Sequence, residues 1–161
     1  MTSRIEHRAG FPAPAATVHA RLVDQGFLRE RLRALGGQDA ALVAYTTDGT
    51  TVGYTLRQGI PAAKLPSVVR GLVKGDLVVE RSETWRPHGD EFVGTTAAAV
   101  AGVPGEIRGR YRLADTAAGS ELRTDAEVKV RIPLVGGKIE SVIAEQVRTL
   151  LANEAAFAAE Y

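Results

Sequence analysis

Cysteine is absent from the 161-residue chain, which excludes disulfides, thiol catalysis and thiolate metal sites. An excess of charge is also lacking, since the formal net charge is +1, and nothing favours nucleic acid or a charged membrane surface as partner. No apolar run approaches the roughly 20 residues of a membrane span. The first eight residues lack the apolar core of a signal peptide. We therefore expect one cytoplasmic domain over residues 1–161, without stable membrane insertion.

The residues that are present have ordinary globular proportions, with 45% hydrophobic and 24% charged side chains. Residues 3–11 alternate between apolar and polar side chains, which predicts a strand with one buried face. Residues 13–23 and 25–35 predict two short helices, the second ended by Gly36-Gly37. Six further strands follow, and after the break at residues 133–137 one uninterrupted helix continues to Tyr161.

Turn signals predict how the six later strands pair as hairpins. Asp48-Gly49 predicts a type I′ turn, and residues 87–90 predict a four-residue loop. These two turns place Tyr45 opposite Val52 and Trp85 opposite Phe92.

The third hairpin turns around residues 116–119, and charge indicates its register. Pairing Tyr111 with Thr124 brings three opposite charges together on one face of the sheet, each pair contributing up to about 1 kcal/mol. The pairs are Arg110 with Asp125, Arg108 with Glu127, and Glu106 with Lys129.

The closing strand, break and helix carry a resemblance to a known family. Residues 126–140 read AEVKVRIPLVGGKIE, and Glu154 and Phe157 follow in the helix. With the first strand ending at Phe11, the chain resembles the START-like superfamily (the helix-grip fold of polyketide cyclases and lipid-transfer domains). More narrowly, it is similar to an uncharacterised actinobacterial family within it. The resemblance implies an α+β fold, with a curved seven-stranded antiparallel sheet around a long C-terminal helix, two short helices after strand 1, and a cavity between sheet and helix.

Arg81 and Glu83 interrupt the apolar pattern of the predicted inner face, because residues two apart on a strand share a face. Paired there, they could orient a ligand or perform acid–base chemistry, since buried charges are costly unless paired. Two other interpretations are a bulge that turns both side chains outward and a purely structural ion pair.

Other candidate ligand contacts come from the inward faces of the strands and the last helix. His7 lies on the apolar face of strand 1, where it could be a base, a ligand contact or a core histidine. The aromatic residues on the predicted inward faces could line a pocket or simply pack in the core. They are Tyr45, Tyr54, Trp85, Phe92 and Tyr111. The full set of predicted contacts is Arg81, Glu83, Trp85, Tyr54, Tyr111, Tyr45, His7, Gln146 and Leu150.

The remaining polar residues are predicted to face solvent. These are His19 in the first helix, His88 in a turn, and the outer helix residues Glu140, Glu145 and Arg148. Three histidines so far apart give no metal-binding pattern, and no cofactor fingerprint is present.

Three functions remain open from the sequence. The first is a carrier or sensor that binds an apolar small molecule, such as a lipid or a polyketide-like compound, with residues 61–75 as a movable gate. The second is a cyclase- or hydratase-type enzyme using Arg81, Glu83 or His7. The third is a protein-interaction module, which an exposed apolar patch would favour.

Overall fold

A computed structural model of the chain describes residues 2–64, 67–71 and 75–161. Two short helices, α1 (Ala15–Leu22) and α2 (Gln25–Leu35), follow the first strand, and the chain closes with the long helix α4 (Gly136–Glu160). A four-residue helix, α3 (Ser67–Arg70), follows a short 3-10 turn over Ala62–Lys64. The strands are β1 (Ser3–Phe11), β2 (Ala41–Thr47), β3 (Val52–Ile60), β4 (Leu77–His88), β5 (Glu91–Val100), β6 (Gly105–Thr116) and β7 (Gly119–Val130).

The seven strands form one curved antiparallel sheet in the order β1-β7-β6-β5-β4-β3-β2. Helix α4 packs across β1 and β7, and α1 and α2 cover the other end of the concave face. An amphipathic helix must bury its apolar stripe, and the concave side of a sheet provides the matching surface. The predicted α+β helix-grip fold is therefore confirmed.

The hairpin between β6 and β7 has the predicted register. Tyr111 pairs with Thr124, and Arg110 pairs with Asp125. The inner face of β7 is thereby fixed, and Thr124, Ala126 and Val128 are all buried.

The predicted registers of the other two hairpins are wrong by two residues. Tyr45 pairs with Tyr54 because the Asp48 carboxylate accepts the N–H groups of Thr50 and Thr51 at 2.9 and 2.7 Å. These bonds close a four-residue loop in place of the type I′ turn. The next hairpin is tighter than predicted, since His88 pairs with Glu91.

Two further predictions are wrong, both at helix termini. Helix α1 begins at Ala15, two residues later than predicted, because the segment with Pro12 and Pro14 leads into it. Glu140 does not face solvent: it is 2% exposed and accepts the Val130 N–H at 2.8 Å. The first turn of α4 thus folds back over the end of β7, where a carboxylate satisfies a backbone donor.

The segment at residues 61–75, predicted to be a gate, lies partly outside the described residues. At its start, Ile60 ends β3 and Pro61 follows it, and both border the space between the sheet and α4. The gate therefore stays a prediction.

Candidate functional site

A pocket of about 220 Å³ lies between α4 and the inner face of the sheet. Its lining is mainly aliphatic, because alternate residues of β3 to β7 and the apolar stripe of α4 face each other there. The aliphatic lining includes Ile60, Leu77, Val79, Ala98, Val100, Ile107, Ala126, Val142, Ile143, Val147, Leu150 and Leu151.

A few polar side chains interrupt this lining. Gln146 and Asn153 enter from α4, and the buried Gln58 enters from β3. Arg81 and Tyr111 form the polar wall at one side. A mainly apolar pocket with a few polar groups is the usual form of a small-molecule site. Four of the predicted ligand contacts line this pocket, namely Arg81, Tyr111, Gln146 and Leu150.

Arg81 is the centre of a buried ion network. Its Nε donates to Glu83 Oε2 at 2.9 Å, while Nη1 and Nη2 donate to the two carboxylate oxygens of Glu154 at 2.9 and 3.0 Å. Nη2 also lies 3.2 Å from the Tyr111 hydroxyl. All three charged residues are at most 7% exposed. Arg81 and Glu83 therefore face inward and form an ion pair, so the bulge interpretation is wrong.

Three aromatic side chains complete the network around Glu83. The Tyr54 hydroxyl donates to Glu83 Oε1 at 2.9 Å, and the Tyr111 hydroxyl donates to Glu83 Oε2. Trp85 Nε1 donates to the Tyr54 hydroxyl at 3.3 Å, and the Trp85 and Tyr111 rings stack with centroids 5.1 Å apart. Every oxygen of the Glu83 carboxylate is thus engaged within the protein.

The network holds both glutamates ionised. Burial alone would raise the pKa of Glu83, but the charges of Arg81 and Arg31 outweigh it and leave that pKa below its ordinary value. The pKa of Glu154 is lowered in the same way, against burial, by Arg31 and Arg81. Burial, together with the Glu83 charge, raises the pKa of Tyr54. A charged carboxylate beside neutral phenols is the stable arrangement.

A second, much smaller pocket of about 30 Å³ adjoins the network. Its walls include His7, Arg31 and Thr124, and it shares Arg81, Tyr111, Thr124 and Leu151 with the large pocket. Burial lowers the pKa of His7, so this imidazole is neutral at pH 7. Of the predicted contacts, His7, Tyr54, Glu83 and Trp85 line the small pocket, and Arg81 and Tyr111 line both.

The side chains of Tyr45 and His19 both pack outside these two pockets. Tyr45 lines neither of these two pockets; its hydroxyl donates to the Val23 carbonyl at 2.5 Å. His19, predicted to be solvated, is half-buried and stacks on Phe92 at 4.0 Å between ring centroids. Burial correspondingly lowers the pKa of His19.

Sequence reasoning missed the site role of Arg31 and underestimated Glu154. Arg31 lies on the buried side of α2, between the apolar residues Leu28 and Leu32, and its residue type does not distinguish it from solvent-facing arginines. Glu154 belongs to the residues that carry the family resemblance, but its partner Arg81 is 73 residues away in the sequence, so no local pattern joins the two.

Residues 6–161 match the family model described as a protein of unknown function, DUF2505. The chain belongs to this family. A relative, an uncharacterised protein of Mycobacterium tuberculosis, is 35% identical over 116 residues, covering 68% of this chain. The match spans 64% of that relative's own length. The predicted actinobacterial family is thereby confirmed.

Solved structures of distant sequence share the fold. An uncharacterised protein from Rhizobium leguminosarum matches with a TM-score of 0.58 at 11% identity, over 100% of this chain and 97% of that one. Norcoclaurine synthase from Thalictrum flavum, solved with dopamine and hydroxybenzaldehyde, matches with a TM-score of 0.57 at 15% identity, over 96% and 84%. These likenesses confirm the helix-grip fold of the DUF2505 chain.

The described part of the chain contains no helix with the length and apolar character that crossing a bilayer requires. Within the same residues, no group of three or more His, Asp or Glu side chains is placed to hold a metal ion.

Proposed function

We propose that this DUF2505 protein binds one small, mainly apolar molecule in the pocket beneath α4, as a carrier or sensor. The observation that carries the proposal is the aliphatic pocket of about 220 Å³ between helix and sheet, with polar side chains at separate points of its wall. Burial of apolar ligand surface would supply affinity, at about 25 cal/mol per Å². The amides of Gln146 and Asn153 would orient the ligand.

The volume favours a ligand of about one ring rather than a long lipid chain. An apolar cavity of about 150 Å³ accepts benzene, and drug-sized ligands use about 300 Å³ or more. At about 220 Å³, the pocket fits a substituted single ring. Dopamine and hydroxybenzaldehyde, the molecules bound in the norcoclaurine synthase structure, belong to that size class.

The state of Glu83 favours binding over acid–base catalysis. Its lowered pKa makes it a weak base at neutral pH, and its oxygens are occupied by Arg81, Tyr54 and Tyr111. It lines the small pocket and is not part of the large pocket's wall. We therefore assign Glu83 to holding the network, not to attacking a ligand.

Calorimetric titration with ethylbenzene tests the proposal, together with native mass spectrometry of the freshly purified protein for a retained molecule. Ala98→Phe places a ring in the pocket, whereas Ala99→Phe places the same ring on the exposed face of the same strand. We expect ethylbenzene to bind the original protein and Ala99→Phe alike and to bind Ala98→Phe at least tenfold more weakly. Equal affinities for both variants, or no binding and no retained molecule, would contradict the proposal.

A further inference from the structure

Arg31 is a buried cation with unused donors. It is 4% exposed, and neither its Nε nor its Nη2 has a hydrogen-bond partner within the described residues. Its nearest carboxylate oxygen, Glu154 Oε2, lies 3.6 Å from Nε, outside hydrogen-bonding distance, because Arg81 already occupies that carboxylate. Leaving charged donors buried and unmatched is costly, so such groups need an explanation.

Thr124 presents a second unused polar group at the same place. Its hydroxyl is buried, with the residue 3% exposed, and has no partner within the same part of the chain. Thr124 lines both the small pocket with Arg31 and the large apolar pocket. Donors from α2 and β7 therefore converge on a space of about 30 Å³ next to the ligand pocket.

The charges around this space are already balanced. The cations Arg31 and Arg81 face the anions Glu83 and Glu154, and His7, the other titratable base in the wall, is neutral at pH 7. A carboxylate entering the space would add an uncompensated buried charge, which is expensive. A neutral oxygen would accept from the arginine without disturbing this balance.

We propose that Arg31 and Thr124 form a polar subsite that takes a neutral oxygen acceptor, a ketone or hydroxyl, at the inner end of a one-ring ligand. The ring lies in the large pocket, and its oxygen reaches the small pocket past the shared wall of Thr124 and Tyr111. This inference rests on the proposed function, since it specifies the ligand of the same pocket. A water molecule would accept hydrogen bonds from Arg31 and Thr124 just as a ligand oxygen would, and the binding experiment distinguishes these two occupants.

The experiment compares acetophenone with ethylbenzene, two molecules of nearly equal size of which only the first carries a ketone oxygen. Calorimetry gives the ratio of their Kd values for each variant, and comparing this ratio between variants cancels the difference in hydration of the two ligands. A hydrogen bond to a charged donor corresponds to roughly 10- to 100-fold in affinity. We expect Arg31→Met to lower the preference for acetophenone at least tenfold while ethylbenzene binding persists.

Arg33→Met is the matched control, because Arg33 lies on the exposed side of the same helix and pairs with Glu30. It should leave both affinities unchanged. Thr124→Val covers the case in which Arg31→Met fails to fold, since valine has nearly the same shape and removes only an unpartnered hydroxyl. We expect this variant to remain stable and to lose preference for acetophenone several-fold.

The outcomes separate the two proposals. If ethylbenzene and acetophenone both fail to bind the original protein, the proposed function fails. If both bind but the ratio is unchanged in Arg31→Met and Thr124→Val, the subsite holds only water and this inference is overturned. If benzoate binds more tightly than acetophenone and depends on Arg31, the assignment of a neutral acceptor is overturned.

Discussion

Replacing Arg81 with methionine should destabilise the protein far more than removal of a surface arginine. The substitution keeps an unbranched side chain but leaves Glu83 and Glu154 buried, at 3% and 6% exposure, without their shared partner. Removing one member of a buried ion pair typically costs about 3–5 kcal/mol. Because both carboxylates lose Arg81 and only Arg31 remains near them, we expect a loss of about 4 kcal/mol in the free energy of unfolding.

The assay is urea unfolding followed by the fluorescence of Trp85, the one tryptophan in the chain, which stacks on Tyr111 beside the network. Arg112→Met is the control, because Arg112 binds Glu91 through two nitrogens at the surface, where water screens the pair, and its loss should destabilise the protein far less than Arg81→Met. A combined Arg81→Met and Glu83→Gln variant should recover part of the loss, since one unpaired carboxylate is gone and the remaining Glu154 still faces Arg31. A loss for Arg81→Met no larger than that for Arg112→Met would refute the account of the network.

Three further predictions concern the frame of the site. Asp24→Ala removes the carboxylate that accepts the third N–H of α2 at 2.9 Å, and should cost about 1 kcal/mol in urea unfolding; no loss would contradict the cap. Gly94→Ala brings a Cβ to 2.5 Å from a backbone oxygen of β4 and should lower the free energy of unfolding by about 1–3 kcal/mol. Gly10→Ala meets open space and should be tolerated, so equal effects of the two substitutions would contradict this packing. The pKa values of Glu83 and Glu154 lie below their ordinary 4.5, so the unfolded chain takes up protons first as the pH falls. The stability that these two carboxylates contribute is therefore present above pH 4.5 and lost below it. Glu83→Gln should make this loss of stability less steep when unfolding is measured as a function of pH.

The sequence predicted the fold well because its signals are local or repeat along one element. The alternation of apolar and polar residues in β1 and β7 determines which face of each strand points inward. The opposite charges of Arg110 and Asp125 indicate how β6 pairs with β7. The alternation within β4 likewise predicts that Arg81 and Glu83 share its inner face, where both are buried. The helix stripe with Leu150 followed from its periodicity in the same way.

The parts that could not be predicted depend on contacts between distant elements. The first hairpin register depends on side-chain bonds of Asp48, which lengthen the loop beyond the turn that its sequence favours. Arg31, Arg81 and Glu154 come from α2, β4 and α4, and no spacing in a single sequence indicates that they meet. A buried arginine on an amphipathic helix differs from an exposed one only in its three-dimensional neighbours.

Methyl-resolved NMR during an ethylbenzene titration tests the central claim, binding beneath α4, most directly. The pocket-lining methyl groups of Val142, Val147 and Leu150 should shift in proportion to occupancy. The exposed methyl groups of Val43 and Val78, which lie outside this pocket, should remain unchanged. Shifts confined to Val43 and Val78, with none at the three pocket residues, would contradict the account.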